Sequence, residues 1–188
     1  MVRVMRINTK NLQDYPFYLR PFFWNQSRKY GMVLKPALLW ARVPRLFAAV
    51  ALLFGSLDYK KSAISPSLRS MITVRVSQIN WCEFCVDVNS YMFAKREGDI
   101  TKLNALSEWS ESTLFDEHER MVLEYVDAIT YSDRHVTDVL MDKLRLYFDD
   151  DGIVELTALI AFQNMSSKFN SALDVPSQGF CRMPSKEN

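Results

Sequence analysis

The chain has 188 residues, 48% hydrophobic and 24% charged, enough for one well-buried core and too few for two. Its net charge is +1, with lysine and arginine spread along the chain and no run of five, so charge gives no reason to expect nucleic acid or an anionic membrane as a partner. Gly totals only five and no stretch alternates apolar and polar residues between hairpin turns, which leaves an all-α fold as the expectation.

The opening MVRVMRINTK lacks the apolar stretch and small-residue cleavage site of a secretory signal, so the expected compartment is the cytoplasm. Aromatic and methionine residues follow at Phe17, Phe22, Phe23, Trp24 and Met32. Packing in a core or between subunits is the default for these, and lining a substrate channel is the alternative. Residues 36–57 are the most apolar stretch, but Arg42, Pro44 and Arg45 interrupt it and only Leu46 to Phe54 is clean. That is short of the roughly 20 apolar residues needed to cross a bilayer.

Ser65-Pro66 opens a helix whose Leu68, Met71, Ile72, Val76 and Ile79 share one face, with Ser70, Thr73 and Ser77 opposite as small polar residues suited to close helix packing. Arg75 lies near the apolar face and must snorkel or find a carboxylate, most simply in a structural ion pair. Next comes Asn80-Trp81-Cys82-Glu83-Phe84-Cys85 at a helix start. Cys82, Cys85 and Asn89 then fall within about 60° of one another on a helix. A helix N-terminus stabilises thiolate, while Glu83 and Asp87 oppose it. In a reducing compartment such a pair is redox-active or metal-binding more often than a staple. Zinc lacks its remaining ligands, since Cys181, His118 and His135 form no matching pattern, and burial as two small hydrophobes is the alternative to redox chemistry.

Asp116 and Glu119 form a capping box ahead of a face made by Met121, Val122, Tyr125, Val126 and Ile129. Thr137 caps a helix carrying Leu140, Leu144, Tyr147 and Phe148, and Asp149-Asp150-Asp151-Gly152 reads as its end and the acidic start of the next rather than as a metal site. Ile153 to about Leu173 is apolar on several faces, including Ile160, Ala161 and Met165, so it lies deep in the fold or between subunits. His118 and His135, the only imidazoles, sit in polar segments as exposed helix-end residues. The stretch from Pro176 onward reads as loose or draped over a neighbour.

The segment ISPSLRSMITVRVSQINWCEFCVDVNSYMFAKREG, from Ile64 to Gly98, resembles the signature of the carboxymuconolactone decarboxylase and alkylhydroperoxidase D-like family. FDEHERMVLEYVDAIT and IVELTALIAFQNMSSKFNSALDVPSQGFC are similar to its longer members. The resemblance covers residues 30–181 as one helical domain, with residues 1–29 as an extension and 182–188 as a tail. It implies a homo-oligomer, trimer or hexamer, that needs no cofactor and reduces hydroperoxides with electrons from a thiol or dithiol reductant. By the family pattern Cys85 attacks the peroxide, Cys82 resolves it, and a glutamate and a histidine relay the proton. Here the glutamate position, twelve residues before Cys82, is Ser70, the histidine position, four after Cys85, is Asn89, and a frequent tyrosine is Phe84. Acid–base assistance is worth about 10²- to 10⁴-fold, so its loss predicts a slowed reductase, with a non-catalytic scaffold or redox sensor as the alternative. Lactone decarboxylation, the family's other activity, calls for a basic cluster that the sequence does not display.

Overall fold

The computed structural model describes residues 5–59, 61–97 and 100–182. Nine α-helices form among these residues, and no strand: α1 (Arg20–Tyr30), α2 (Lys35–Ala41), α3 (Pro44–Leu57), α4 (Pro66–Ile79), α5 (Glu83–Glu97), α6 (Thr101–Asn104), α7 (Glu117–Thr130), α8 (Asp138–Leu144) and α9 (Asp150–Ala172). The apolar run at 36–57 divides into α2 and α3 at Arg42-Val43. No helix among the described residues is long and apolar enough to cross a membrane.

The starts of α4, α7, α8 and α9 follow from their side-chain caps. The Ser65 hydroxyl accepts Leu68 N–H with Pro66 at the first helical position, Asp116 and Glu119 complete the capping box, and Thr137 accepts Leu140 N–H. The aspartate run is the start of α9, whose Gly152 N–H binds the Asp149 carboxylate at 2.8 Å. A Cβ on Gly152 would meet Asp149 Oδ1 at 3.1 Å and Phe148 Cβ at 3.3 Å, so the cap holds the chain closer than most side chains allow. Helix α8 ends at Leu144, short of Tyr147 and Phe148.

Helix α4 is the axis of the fold and packs on α5, α7 and α9. It is buried on its polar side as well as its apolar one, including Ser70, Thr73, Arg75 and Ser77. Arg75 resolves as an ion pair: Nε and Nη2 reach the two oxygens of Asp127 at 2.7 and 2.8 Å, joined by Trp109 Nε1 at 3.2 Å and Arg134 at 3.3 Å. Serine and glutamine rows zip α4 to α9. Gln163 Nε2 donates to Ser77 Oγ at 2.8 Å, and Asn80 Nδ2 donates to Asn164 Oδ1 and Ser167 Oγ. On α9 the outward residues include Ala161 and Met165, which are exposed, so the helix is apolar inward and ordinary outward.

A second, smaller cluster joins Tyr15, Leu19 and Phe23 to Ala37, Ala41 and Phe47. Tyr15 packs edge-on against Phe23 at 5.4 Å within this segment, and Phe22 on Phe47 at 4.7 Å and the Tyr15 hydroxyl donating to Leu38 carbonyl at 2.8 Å tie it to α3 and α2. A third cluster holds Leu39, Cys82, Phe84, Cys85, Val175 and Phe180. The aromatic residues near the start therefore separate: Phe23 is core, Phe22 faces the cavity described below, Met32 packs against the cysteine cluster, and Phe17 and Trp24 are exposed.

The segment after α9 departs from the loose tail expected of it, because Asp87 of α5 binds it back onto its own fold. Residues 183–188 lie outside the described residues.

Candidate active site

Helix α4 ends in a turn that delivers the cysteines. Cys82 N–H donates to Ser77 carbonyl at 2.9 Å and Trp81 N–H to Gln78 carbonyl at 3.2 Å, the paired closure of a helix whose next residue is left-handed. That residue is Trp81, at φ 56°, where glycine is usual. The turn folds α5 back along α4, so that Arg96 near the end of α5 donates to Pro66 carbonyl and Ser70 hydroxyl at the start of α4.

Cys82 precedes the first residue of α5, and Cys85 lies in its first turn. The two are disulfide-bonded, with Cα atoms 5.3 Å apart. Cys85 N–H donates to Cys82 Sγ at 3.2 Å, so the Cys82 sulfur takes the role of a capping oxygen on an unpaired helix N–H. Both cysteines are buried.

Cys85 opens onto a cavity of about 310 Å³, whereas Cys82 is not among the residues that line it. One face of α5 forms a wall through Cys85, Val88, Asn89, Met92 and Arg96. The opposite walls are mainly apolar, from Phe22, Trp40, Phe47, Phe54, Leu159 and Phe162, and Trp40 stacks on Phe169 at 3.7 Å. The polar groups around it include Ser70, Thr73, Gln163 and Asn170 beside Asn89, with Asn25, Gln26 and Ser166 further round, Lys29, Arg69 and Arg96 as cations and Asp58 held by Arg69 at 3.1 Å.

The structure gathers Cys85, Ser70 and Asn89 around one cavity and sets Cys82 behind it. Neither imidazole lines this space. His118, expected to be exposed, is half-buried and stacks on Tyr147 at 4.8 Å, while His135 is exposed between α7 and α8. The amide that reaches sulfur is Asn170, whose Nδ2 lies 3.2 Å from Cys85 Sγ. Sequence reasoning missed it, although Gln163, Ser166, Ser167 and Asn170 form a polar stripe at helical spacing along α9.

Asp87, two residues beyond Cys85, binds the segment that follows α9 with both carboxylate oxygens. Its Oδ2 accepts Ser177 Oγ at 2.7 Å and the N–H groups of Gln178, Gly179 and Phe180 at 2.8 to 3.0 Å, and its Oδ1 accepts Cys181 N–H at 2.9 Å. Burial alone would raise the Asp87 pKa, but the donors from Cys181, Ser177, Phe180 and Gly179 outweigh it and hold the carboxyl below its ordinary value. The Cys181 thiol is pushed up by burial and by the Asp87 charge, so it is disposed against thiolate chemistry. Gln178 then ties this strap to the start of α2, accepting Lys35 N–H at 2.8 Å, and Phe180 packs edge-on against Tyr30 and Phe84.

The model of the carboxymuconolactone decarboxylase family matches residues 44–128, which contain both cysteines of the pair. The uncharacterized protein YnjA of Escherichia coli strain K12 is 43% identical over 177 residues, 94% of this chain and 97% of that protein. Among solved structures, the alkylhydroperoxidase AhpD core of Ralstonia eutropha JMP134, described as an uncharacterized peroxidase-related protein, superposes with a TM-score of 0.86 at 20% identity over 97% of each chain, a likeness of fold. The apo debrominase Bmp8 gives a TM-score of 0.79 at 25% identity over 93% of this chain and 92% of that one. A cysteine-to-alanine variant of that debrominase, solved with 2,3,4-tribromopyrrole, gives 0.76 at 23% identity over 93% and 96%.

Proposed function

We propose that this chain, which belongs to the carboxymuconolactone decarboxylase family, is a two-cysteine oxidoreductase that reduces small organic hydroperoxides. The reading rests on one observation: of the paired sulfurs, Cys85 lines an apolar cavity and Cys82 lies behind it within disulfide reach. A substrate in the cavity meets Cys85, and the oxidised product meets Cys82.

The chemistry balances without a cofactor. Cys85 thiolate attacks the outer peroxide oxygen; the O–O bond breaks, the alkoxide takes a proton and leaves as alcohol, and Cys85 becomes a sulfenic acid. Cys82 sulfur displaces hydroxide from it, forming the disulfide and, with the thiol proton, water. An external dithiol supplies two electrons and two protons to restore the pair. With Ser70 and Asn89 at the relay positions, protons come from the thiols and water, and the rate falls short of a relay-equipped enzyme by a factor within the 10²- to 10⁴-fold range of acid–base assistance. An apolar cavity favours alkyl or aryl hydroperoxides over hydrogen peroxide. The exposed apolar side chains of α3, Leu52, Leu53 and Phe54, suit a homo-oligomer.

A second reading keeps the same sulfurs and changes the substrate. The cavity walls present Phe22, Trp40, Phe54 and Phe162, which suit a flat ring, and Bmp8 is a debrominase of the same fold. A dithiol delivers the same two electrons to an aryl bromide, giving arene, bromide, a proton and disulfide. Reduced protein is mixed with cumene hydroperoxide or tribromopyrrole in separate reactions, and the Cys82–Cys85 disulfide is timed by mass spectrometry against free cysteine. Rapid oxidation by the hydroperoxide alone supports the first reading, rapid debromination supports the second, and no reaction above free thiol in either leaves a scaffold.

A further inference from the structure

We propose that Asn170 is the group that stabilises the Cys85 thiolate and biases the cysteine pair toward its reduced form, the charge-holding part of the work that a glutamate and histidine would do in a relay. The proposal rests on the reading of Cys82 and Cys85 as a reversible redox pair. Three observations on α9 carry it. Asn170 is 1% exposed and lines the cavity beside Cys85. Its Nδ2 lies 3.2 Å from Cys85 Sγ. Its Oδ1 is buried with no hydrogen-bond partner.

A buried amide with one weak N–H···S bond and an orphan acceptor is poorly served by a disulfide. Reduction improves one end of that account in each protonation state of Cys85. A Cys85 thiolate accepts Nδ2–H as a charge-assisted bond, and a Cys85 thiol offers its S–H to an amide turned to present Oδ1. In either protonation state the amide is better paired in the dithiol than in the disulfide, so the side chain pulls the equilibrium toward reduction.

The placement is fixed before reaction. Val175 N–H donates to the Asn170 carbonyl at 3.0 Å, closing α9 with Asp174 at φ 55°. Arg6 caps the same helix end through Leu173 carbonyl at 3.0 Å and Ala172 carbonyl at 2.8 Å. Asn89, the family's histidine position, shares the cavity, but the contact with sulfur belongs to Asn170. An amide holds charge without moving a proton, which fits a site that keeps its sulfurs and lacks a relay.

The test uses the full chain in two cysteine backgrounds. With Cys82 and Cys181 replaced by serine, Cys85 is the sole thiol, and its alkylation by iodoacetamide is followed as a function of pH. Asn170→Leu is expected to move the alkylation midpoint to higher pH and to slow the reaction at neutral pH about tenfold; Asn170→Asp, nearly isosteric and like-charged with thiolate, moves it further. With all cysteines present, glutathione titration of the pair is expected to show the disulfide favoured about tenfold more in Asn170→Leu, a fall of about 30 mV in reduction potential. Asn170→Ser, which keeps a donor, lies between the two. Unchanged pH profiles and potentials in folded Asn170→Leu and Asn170→Asp overturn the proposal. If Asn170→Leu does not fold, Asn170→Asp decides alone, and an unchanged profile there overturns it. A shifted profile in a protein that reduces no hydroperoxide sinks the proposed substrate and leaves Asn170 in its role, whereas hydroperoxide turnover with an insensitive profile sinks the role of Asn170 alone.

Discussion

The Asp87 carboxylate accepts the backbone N–H of Phe180 at 3.0 Å, fastening the end of the described chain to the helix that carries the cysteines. Four further donors from residues 177–181 share that carboxylate, so its charge is spent on holding the strap. Asp87→Asn removes the charge and turns one acceptor into a donor facing donors. The expected loss is about 2 kcal/mol or more, given about 1.5–3 kcal/mol for one hydrogen bond to a charged group. Urea unfolding measures it, and amide hydrogen exchange at 178–181 should rise with it.

The same carboxylate sets a pH dependence whose sign follows from its lowered pKa. A carboxyl held lower in the folded chain than in the unfolded one contributes stability in full above its unfolded value, about 3.9, and loses it as the pH falls through the folded value. Wild-type stability should therefore fall below about pH 4 more steeply than that of Asp87→Asn, and the difference between the two should be flat at neutral pH. Denaturation midpoints across that range check the slope.

Cys85→Ser and Cys82→Ser separate the two sulfurs. Cys85→Ser should lose hydroperoxide-dependent thiol oxidation down to the background of free cysteine, because no sulfur then faces the cavity. Cys82→Ser should still consume about one equivalent of peroxide and stop at a Cys85 sulfenic acid, trapped with dimedone and read by mass. Full turnover by both variants would refute the assignment.

Trp81 occupies a left-handed position with its indole 85% exposed. The left-handed conformation costs a bulky residue roughly 1–2 kcal/mol, against about 0.5–1 kcal/mol of extra chain entropy lost by glycine. Trp81→Gly should stabilise the fold by about 0.5–1 kcal/mol in thermal or urea unfolding. Trp81→Val, β-branched at the same dihedral, should destabilise it.

Arg75 and Asp127 form a buried pair whose halves cannot be removed singly. Asp127→Ala strands the guanidinium among carbonyls and should cost about 3–5 kcal/mol, whereas Arg75→Met with Asp127→Leu should recover most of that loss. A double-mutant cycle by urea unfolding gives the coupling.

Much of the fold could be read from local chemistry. The caps at Ser65, Asp116 and Thr137 and the breaker at Asp149-Gly152 are short-range devices, and each appears where its residues stand. The Arg75 pairing was legible as a need for a carboxylate, while its partner, fifty-two residues away, was not. The site was harder. The cysteine pair announces itself by spacing, yet Asn170 comes from a helix eighty-five residues further on, and no local rule joins them. The strap was misread because proline, serine and glycine look loose until a buried carboxylate collects their N–H groups. Likewise His118 stands at a helix end as expected, but it looks exposed until Tyr147, seventeen residues beyond the end of α7, returns to stack on it.

The reach of Asp87 also orders events at the ribosome. Its five partners lie ninety to ninety-four residues downstream, a lag on the order of ten seconds at ~5–20 residues per second of translation. Until they emerge, the Asp87 carboxylate has none of those donors, and α5 lacks the Phe180 ring that packs on Phe84 between the two cysteines. The cysteine-bearing helix is therefore complete in the growing chain well before the segment that covers its first turn exists.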